Sequence, residues 1–325
     1  MSVAANVFYL LIFPGALFIV TFAFAAQYVD RKLYAKLQNR VGPPPIQPVA
    51  DFLKLLSKQS VVPDNARREI FAWAPLFGLA GVLTAALYLP IWGDEAVFAF
   101  QGDLVVVLFL LALPSFALFF GGWYSGNPFS RVGTLRTLTQ LFGYEVPFFL
   151  ACLAPALATG TWETSAILQE LGTEPWYLPL LVIAFVVSLL SLLAKLERVP
   201  FDAPEAETEL ASGTLAEYSG RKLALLKLTK DVELVVGALL VVTLFLGGPY
   251  PLHGLADGIA GDALGFVAVL IKALVVIMLL TVVRSVVARL RIEQTFAVFY
   301  RWLVGAAIAQ AALVLAVAAV VGNPF

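Results

Sequence analysis

Stretches of about 20 apolar residues, the length that carries a helix across a bilayer, recur from one end of this chain to the other. Eight are expected, at roughly 7–27, 69–91, 103–121, 137–158, 177–195, 231–248, 263–284 and 297–321. A water-soluble globule is excluded, because 61% of the residues are hydrophobic and only 13% are charged. The fold class read from this pattern is all-α. It is a polytopic integral membrane protein of about eight transmembrane helices with a short amphipathic interfacial helix, one transmembrane domain over residues 1–325.

Basic residues favour the cytoplasmic side, and here they fall into four segments. Residues 28–68, 122–136, 195–230 and 284–301 hold eight, two, six and four of the 21 Lys and Arg, and the remaining one, Lys272, lies inside the seventh span. The loops between them carry only acids: Asp94, Glu95, Glu163, Glu170, Glu174, Asp257 and Asp262. Both termini are therefore expected outside, with segments 28–68 and 196–230 within. No basic residue or small-residue cleavage site marks the first span as a signal peptide, which suits a retained helix.

Several chemistries find no support. The single cysteine, Cys152, falls inside a span and can form neither an internal disulfide nor a cluster. The single histidine, His253, reads as a polar loop residue. There is no glycine-rich phosphate loop, nucleophile triad or metal-ligand spacing, so no catalytic residue, metal site or cofactor of this chain's own is expected, and no nucleic-acid partner.

The inner segments are more informative. Pro43, Pro44 and Pro45 fix φ and lack donor N–H groups, so they should form a stiff extended strap. After Pro48, Val49, Phe52, Leu53, Leu55 and Leu56 alternate with Asp51, Lys54 and Lys58 as in a helix lying in the interface plane. By periodicity alone, this helix could equally be a plain surface anchor. The stretch "ERVPFDAPEAETELASGTLAEYSG" gathers Glu197, Asp202, Glu205, Glu207, Glu209 and Glu217. Asp202 followed by Pro204 and Glu205 reads as a helix start, with the helix expected to run to Ser212 and stop at Gly213. Glu205 and Glu209 would then share a face with Asp202. Such an acidic loop fits a wet surface; it also fits a proton funnel of coupled carboxylates.

Inside the expected spans, Glu145 precedes Pro147 by two residues, Lys272 sits near mid-span, and Asp103 stands at the mouth of the third. Charge is costly there and usually functional. Lys272 is too deep to snorkel and should face a carboxylate or water.

The ordered set "DRKLYAKLQNRVGPP", "QPVADFLKLLSK", "GGWYSGNPFSRVGTLRTLTQLFGYEVP", "PFDAPEAETEL", "AEYSG" and "RLRIEQ" resembles the membrane heel subunit of respiratory complex I and its relatives in membrane-bound hydrogenases. The resemblance covers Asp30 to Trp302. It implies a cavity facing hydrophilic redox subunits and an acidic path leading from it into the membrane. On that path it places Glu145, Asp202, Glu205, Glu207, Glu209, Glu217, Asp51 and Lys272. Arg40, Arg136, Arg198, Arg284 and Arg291 resemble the inner-surface arginines that dock the redox arm or line the cavity. Iron–sulfur clusters and a nickel–iron centre would belong to partner subunits. The partners implied are an iron–sulfur small subunit and its large companion, with antiporter-like and small membrane subunits, in a prokaryotic plasma membrane. Two departures stand out. The strap is shortened to "RVGPPPIQP", as in the hydrogenase-type branch, and Lys195 stands where complex I members commonly carry Glu. The expected function is therefore coupling in a ferredoxin-driven, hydrogenase-type complex that moves protons or sodium. A quinone-binding heel and a purely structural anchor are the competing readings.

Overall fold

The computed structural model describes residues 3–173, 177–205, 207–255 and 258–321. Asp257 and Glu174 lie outside them. The elements in order are α1 (Val3–Leu11), α2 (Ala16–Leu37), α3 (Gln47–Ser57), α4 (Arg68–Ala86), α5 (Asp103–Trp123), α6 (Pro128–Thr159) and α7 (Thr164–Thr173). They continue with α8 (Tyr177–Leu180), α9 (Val182–Lys195), α10 (Glu207–Leu210), α11 (Gly220–Phe245), α12 (Ile259–Val286), α13 (Ile292–Val298) and α14 (Val304–Val321). Among the described residues, six helical stretches have the length and composition to cross a membrane: 4–37, α4, α5, α6, α12 and 292–318. The expected fifth and sixth spans correspond to α9, which is only 14 residues long, and to α11, whose first half is charged.

The first span is interrupted between α1 and α2 and ends later than expected. Pro14 lacks the N–H a continuing helix would need. A Cβ on Gly15 would lie 2.1 Å from the carbonyl oxygen of Leu10, so only glycine fits. Restarting at Ala16, α2 then runs to Leu37 and carries Gln27, Asp30 and Arg31 on one face beyond the apolar run. Likewise, α6 begins nine residues before the expected 137, because Asn127 caps it by accepting the Phe129 N–H at 2.9 Å and Pro128 takes the first helical position.

From Asp231 to Phe245 every residue of α11 is buried, as a helix apolar on all sides must be. It packs on α2, α3, α4, α5, α9 and α12, while α4 lies along α5, and α6 along α9 and α14. The amphipathic α3 is more than a surface anchor: it packs on α2 and α11, with Phe52 against Phe24 at 5.5 Å.

The basic and acidic segments gather at opposite ends. Ser219 Oγ accepts the Val61 N–H at 2.7 Å, Asn127 Nδ2 donates to Glu217 at 2.5 Å and Arg289 pairs with Asp202 at 2.8 Å at one end. At the other, Tyr250 donates to Asp94 at 3.0 Å, and His253 faces Asp262 at 3.0 Å.

Asp103 belongs to the acidic end, but it is not an interfacial residue. It is fully buried, accepts the Thr164 N–H at 2.7 Å and its hydroxyl at 3.1 Å, and so fixes the start of α7. Asp103→Ala orphans that buried amide and should cost about 1–3 kcal/mol. A lowered melting temperature in detergent, largely restored by Asp103→Asn, is the expected result.

The helix expected from Asp202 to Ser212 is not formed. Four residues of α10 are followed by left-handed Ala211, Ser212 and Gly213 and then a 3₁₀ turn over Gly213–Glu217. Gly213, at φ +53°, rests on Gly133 of α6, where a Cβ at Gly133 would come within 3.1 Å of its Cα. The acids are instead drawn to separate elements by separate cations. Asp202 pairs with Arg289 of the loop after α12, Glu205 with Lys230 of α11, and Glu209 with Arg136 of α6.

Candidate functional site

At the basic end, α2, the loop after α9, the 3₁₀ turn, α11 and α12 enclose a cavity of about 720 Å³, and eleven of its eighteen lining residues are charged. The helical repeat explains the polarity. Gln27, Asp30 and Arg31 of α2, and Lys227, Lys230 and Asp231 of α11, stand at i, i+3 and i+4 and turn one polar face inward.

Asp30, 2% exposed, is the hub of one wall. Its Oδ2 accepts from Arg198 at 2.9 Å and Arg284 at 3.3 Å, and its Oδ1 from the Thr281 hydroxyl at 2.7 Å. Arg284 also lies over the Tyr34 ring at 4.5 Å. Asp231 accepts from Gln27 at 2.6 Å. On the opposite wall, burial pushes the Asp202 carboxyl above its ordinary value, with the Arg289 charge opposing. A second cavity of about 250 Å³ lies under α3 and shares Gln27, Arg31, Lys227 and Asp231 with the first. Asp51 lines it, bound by Arg31 at 2.8 Å and Gln47 at 2.7 Å. Burial would raise that carboxyl, but these hydrogen bonds and the Arg31 and Lys54 charges outweigh it and hold it below the usual range.

Beyond the cavity wall, ionisable groups continue into the bundle. Lys230 donates to Glu197 at 2.7 Å and, closer still, to Glu205. Burial raises the Glu197 carboxyl, with Lys230 opposing. Glu233 follows on α11, 2% exposed, its Oε1 without a hydrogen-bond partner. It lies within electrostatic reach of Lys195, Lys230, Glu197 and Glu145. Lys195, its side chain fully buried, donates to Glu145 at 3.0 Å and sits over the rings of Tyr144 and Phe148 at 5.0 and 5.3 Å. Four carboxylates and two lysines thus line up from Glu205 to Glu145.

The expected site residues are dispersed by this arrangement. Asp202, Glu205, Arg198 and Arg284 line the larger cavity and Asp51 the smaller. Glu145 lines neither; its partner is Lys195, not the acids of 202–217. Glu217 is held by Asn127. Arg136, Glu209 and Arg291 border a separate cleft of about 200 Å³, and Arg40 is exposed on the strap. The side chain of Glu207 lies outside the described residues. Lys272 donates to the carbonyls of Leu246 at 2.7 Å, Gly248 at 2.8 Å and Tyr250 rather than to a carboxylate. The loop after α11 descends to it, which its depth on α12 did not reveal.

Asp30, Glu197, Lys195, Lys230, Asp231 and Glu233 were not among the expected site residues. Glu233 left one sign, twelve residues without ionisable side chains after it on the same helix. Among the described residues no group of three His, Cys, Asp or Glu side chains could hold a metal ion.

The chain matches the family model described as NADH dehydrogenase over residues 9–315. It is similar to the H subunit of the NADH-quinone oxidoreductase of Thermomicrobium roseum, 33% identical over 82% of this chain and 83% of that one. It is as similar to the H subunit of the F(420)H(2) dehydrogenase of Methanosarcina mazei, 33% identical over 87% and 85%. Among solved structures it resembles a chain of the membrane-bound sulfane sulfur reductase, an archaeal respiratory membrane complex. The TM-score is 0.82 and the identity 26%, over 92% of this chain and 96% of the other.

Proposed function

Because this chain belongs to the NADH dehydrogenase family of membrane-embedded subunits of respiratory oxidoreductase complexes, we propose that it couples a partner's electron transfer to ion movement. The observation that carries this is the series of four carboxylates and two lysines, Glu205–Lys230–Glu197, Glu233, Lys195–Glu145, which leads from the cavity into the bundle. Ionisable groups at that depth are expensive unless used, and a chain of carboxyls separated by short gaps is what a proton relay requires. In this reading Asp202, Glu205 and Asp51 collect protons at the basic end, Glu197 and Glu233 receive them, and Glu145 holds them at the far end. The arginines Arg40, Arg136, Arg198, Arg284 and Arg291 face or brace the hydrophilic redox subunits, and the iron–sulfur and nickel–iron chemistry resides there.

The shortened strap and the charged cavity favour a ferredoxin-driven complex of the hydrogenase or sulfur-reducing type over a quinone site, which would want an apolar lining. The quinone reading keeps one observation in its favour, the relative from Thermomicrobium roseum whose name includes quinone.

The purified complex, reconstituted in liposomes, decides both points. Reduced ferredoxin should drive ion uptake that quinone-site inhibitors leave unchanged, with no quinone copurifying. Active electron transfer without any uptake would refute coupling, and inhibitor-sensitive reduction of added quinone would move the chain to the second reading.

A further inference from the structure

We propose that Lys195 makes the buried path selective for protons by keeping sodium ions out; the proposal rests on the relay described above. A sodium ion can leave water only for a site that replaces its hydration shell with several oxygen donors and compensates its charge. Along this path two lysines already hold three of the four carboxylates. Lys230 holds Glu197 and Glu205, Lys195 holds Glu145 at 3.0 Å, and Glu233 feels both lysines.

The two lysines differ in how firmly they are placed. Lys230 is 19% exposed and borders the cavity, whereas the Lys195 side chain is fully buried. The faces of Tyr144 and Phe148 lie against its ammonium, where the ring quadrupoles attract a cation and hold it in place. Tyr144 is itself held by a 2.8 Å hydrogen bond to Ser115. A fixed cation at this point repels a passing metal ion, as cationic side chains do in selective pores.

A proton is not stopped in the same way, because it never travels as a free cation. It adds to one carboxylate oxygen while another leaves, and the charge of each carboxyl is restored when the proton moves on. The buried Oε1 atom of Glu233 has no hydrogen-bond partner in the protein and stands ready as an acceptor. Lys195 is a specificity-determining residue and not itself a carrier.

The test is sodium sensitivity of donor-driven proton uptake by the reconstituted complex, with potassium chloride as the ionic-strength control. Any sodium route through antiporter-like partners is common to every sample, so the comparison is between variants. Lys195→Gln is expected to make proton uptake inhibitable by sodium, lowering the half-inhibiting concentration at least about tenfold, or about 1.4 kcal/mol. Lys195→Arg should restore the wild-type response. Lower uptake in Lys195→Gln with an unchanged sodium response would assign Lys195 a structural role and overturn the proposal. If Lys195→Gln does not assemble, Lys195→His asks the same question within one protein. Sodium inhibition is expected above the ordinary histidine range and should vanish below it; a response independent of pH would overturn the proposal. Full coupling in Glu145→Gln would instead remove the relay itself, a separate failure.

Discussion

Glu145→Gln is expected to leave the complex assembled and electron transfer running while cutting donor-driven ion uptake by at least about 100-fold, the scale on which a positioned proton-transfer group contributes. Glutamine keeps the shape and an oxygen that can still accept from Lys195 at 3.0 Å. The ammonium retains the two ring faces and Glu233 nearby, so the buried cation is not abandoned. What disappears is titration. Uptake and electron transfer measured on one batch of proteoliposomes separate the two effects, and full uptake in an assembled Glu145→Gln complex would end the relay reading.

The largest loss of stability is expected at Asp30. One carboxylate, 2% exposed, serves two guanidiniums and a threonine hydroxyl. In Asp30→Asn the single carbonyl oxygen cannot replace both charged contacts, and Arg198 and Arg284 are left in a confined wall without their anion. Breaking a buried pair in this way costs about 3–5 kcal/mol. Asp51→Asn removes an ion pair whose partners are 38% and 41% exposed, and solvent screening should hold its cost below about 1 kcal/mol. Melting temperatures of the two variants in detergent should therefore differ widely, and equal shifts would show that Asp30 is not the hub.

Much of the architecture could be read from the sequence, because it follows from local rules. Apolar runs, the collection of Lys and Arg into four segments, and the periodicity of α3 each involve neighbours along the chain. The buried polar axis does not. Lys195 and Glu145 are 50 positions apart, Asp30 and Arg284 are 254, and Gln27 and Asp231 are 204. No spacing rule connects such partners. Asp231 and Glu233 were overlooked for a further reason. They fall in the first turn of the expected span 231–248, where ionisable residues commonly mark a helix end, whereas α11 begins eleven residues earlier, at Gly220, and carries them inside. The acid-rich loop misled in the opposite direction. Its helix-start pattern is real, but the pull of Arg289, Lys230 and Arg136 on three different elements overrides a weak local preference for helix.

After Glu233, α11 continues to Phe245 with no ionisable side chain, about 18 Å of helix, and the carbonyls of Leu246 and Gly248 beyond its end accept from Lys272. Electrically, the subunit is therefore thin. A charged cavity that fills with water would stay near the potential of the basic side, so a membrane voltage would drop mainly across the apolar layer beyond it. On the proposed relay, a proton reaching Glu205 or Glu197 would have crossed little of the roughly 2.3 kcal/mol per 100 mV that a full crossing represents. Loading the relay from the basic side should consequently respond to the pH on that side far more than to voltage, leaving the work against the membrane potential to the step beyond Glu145.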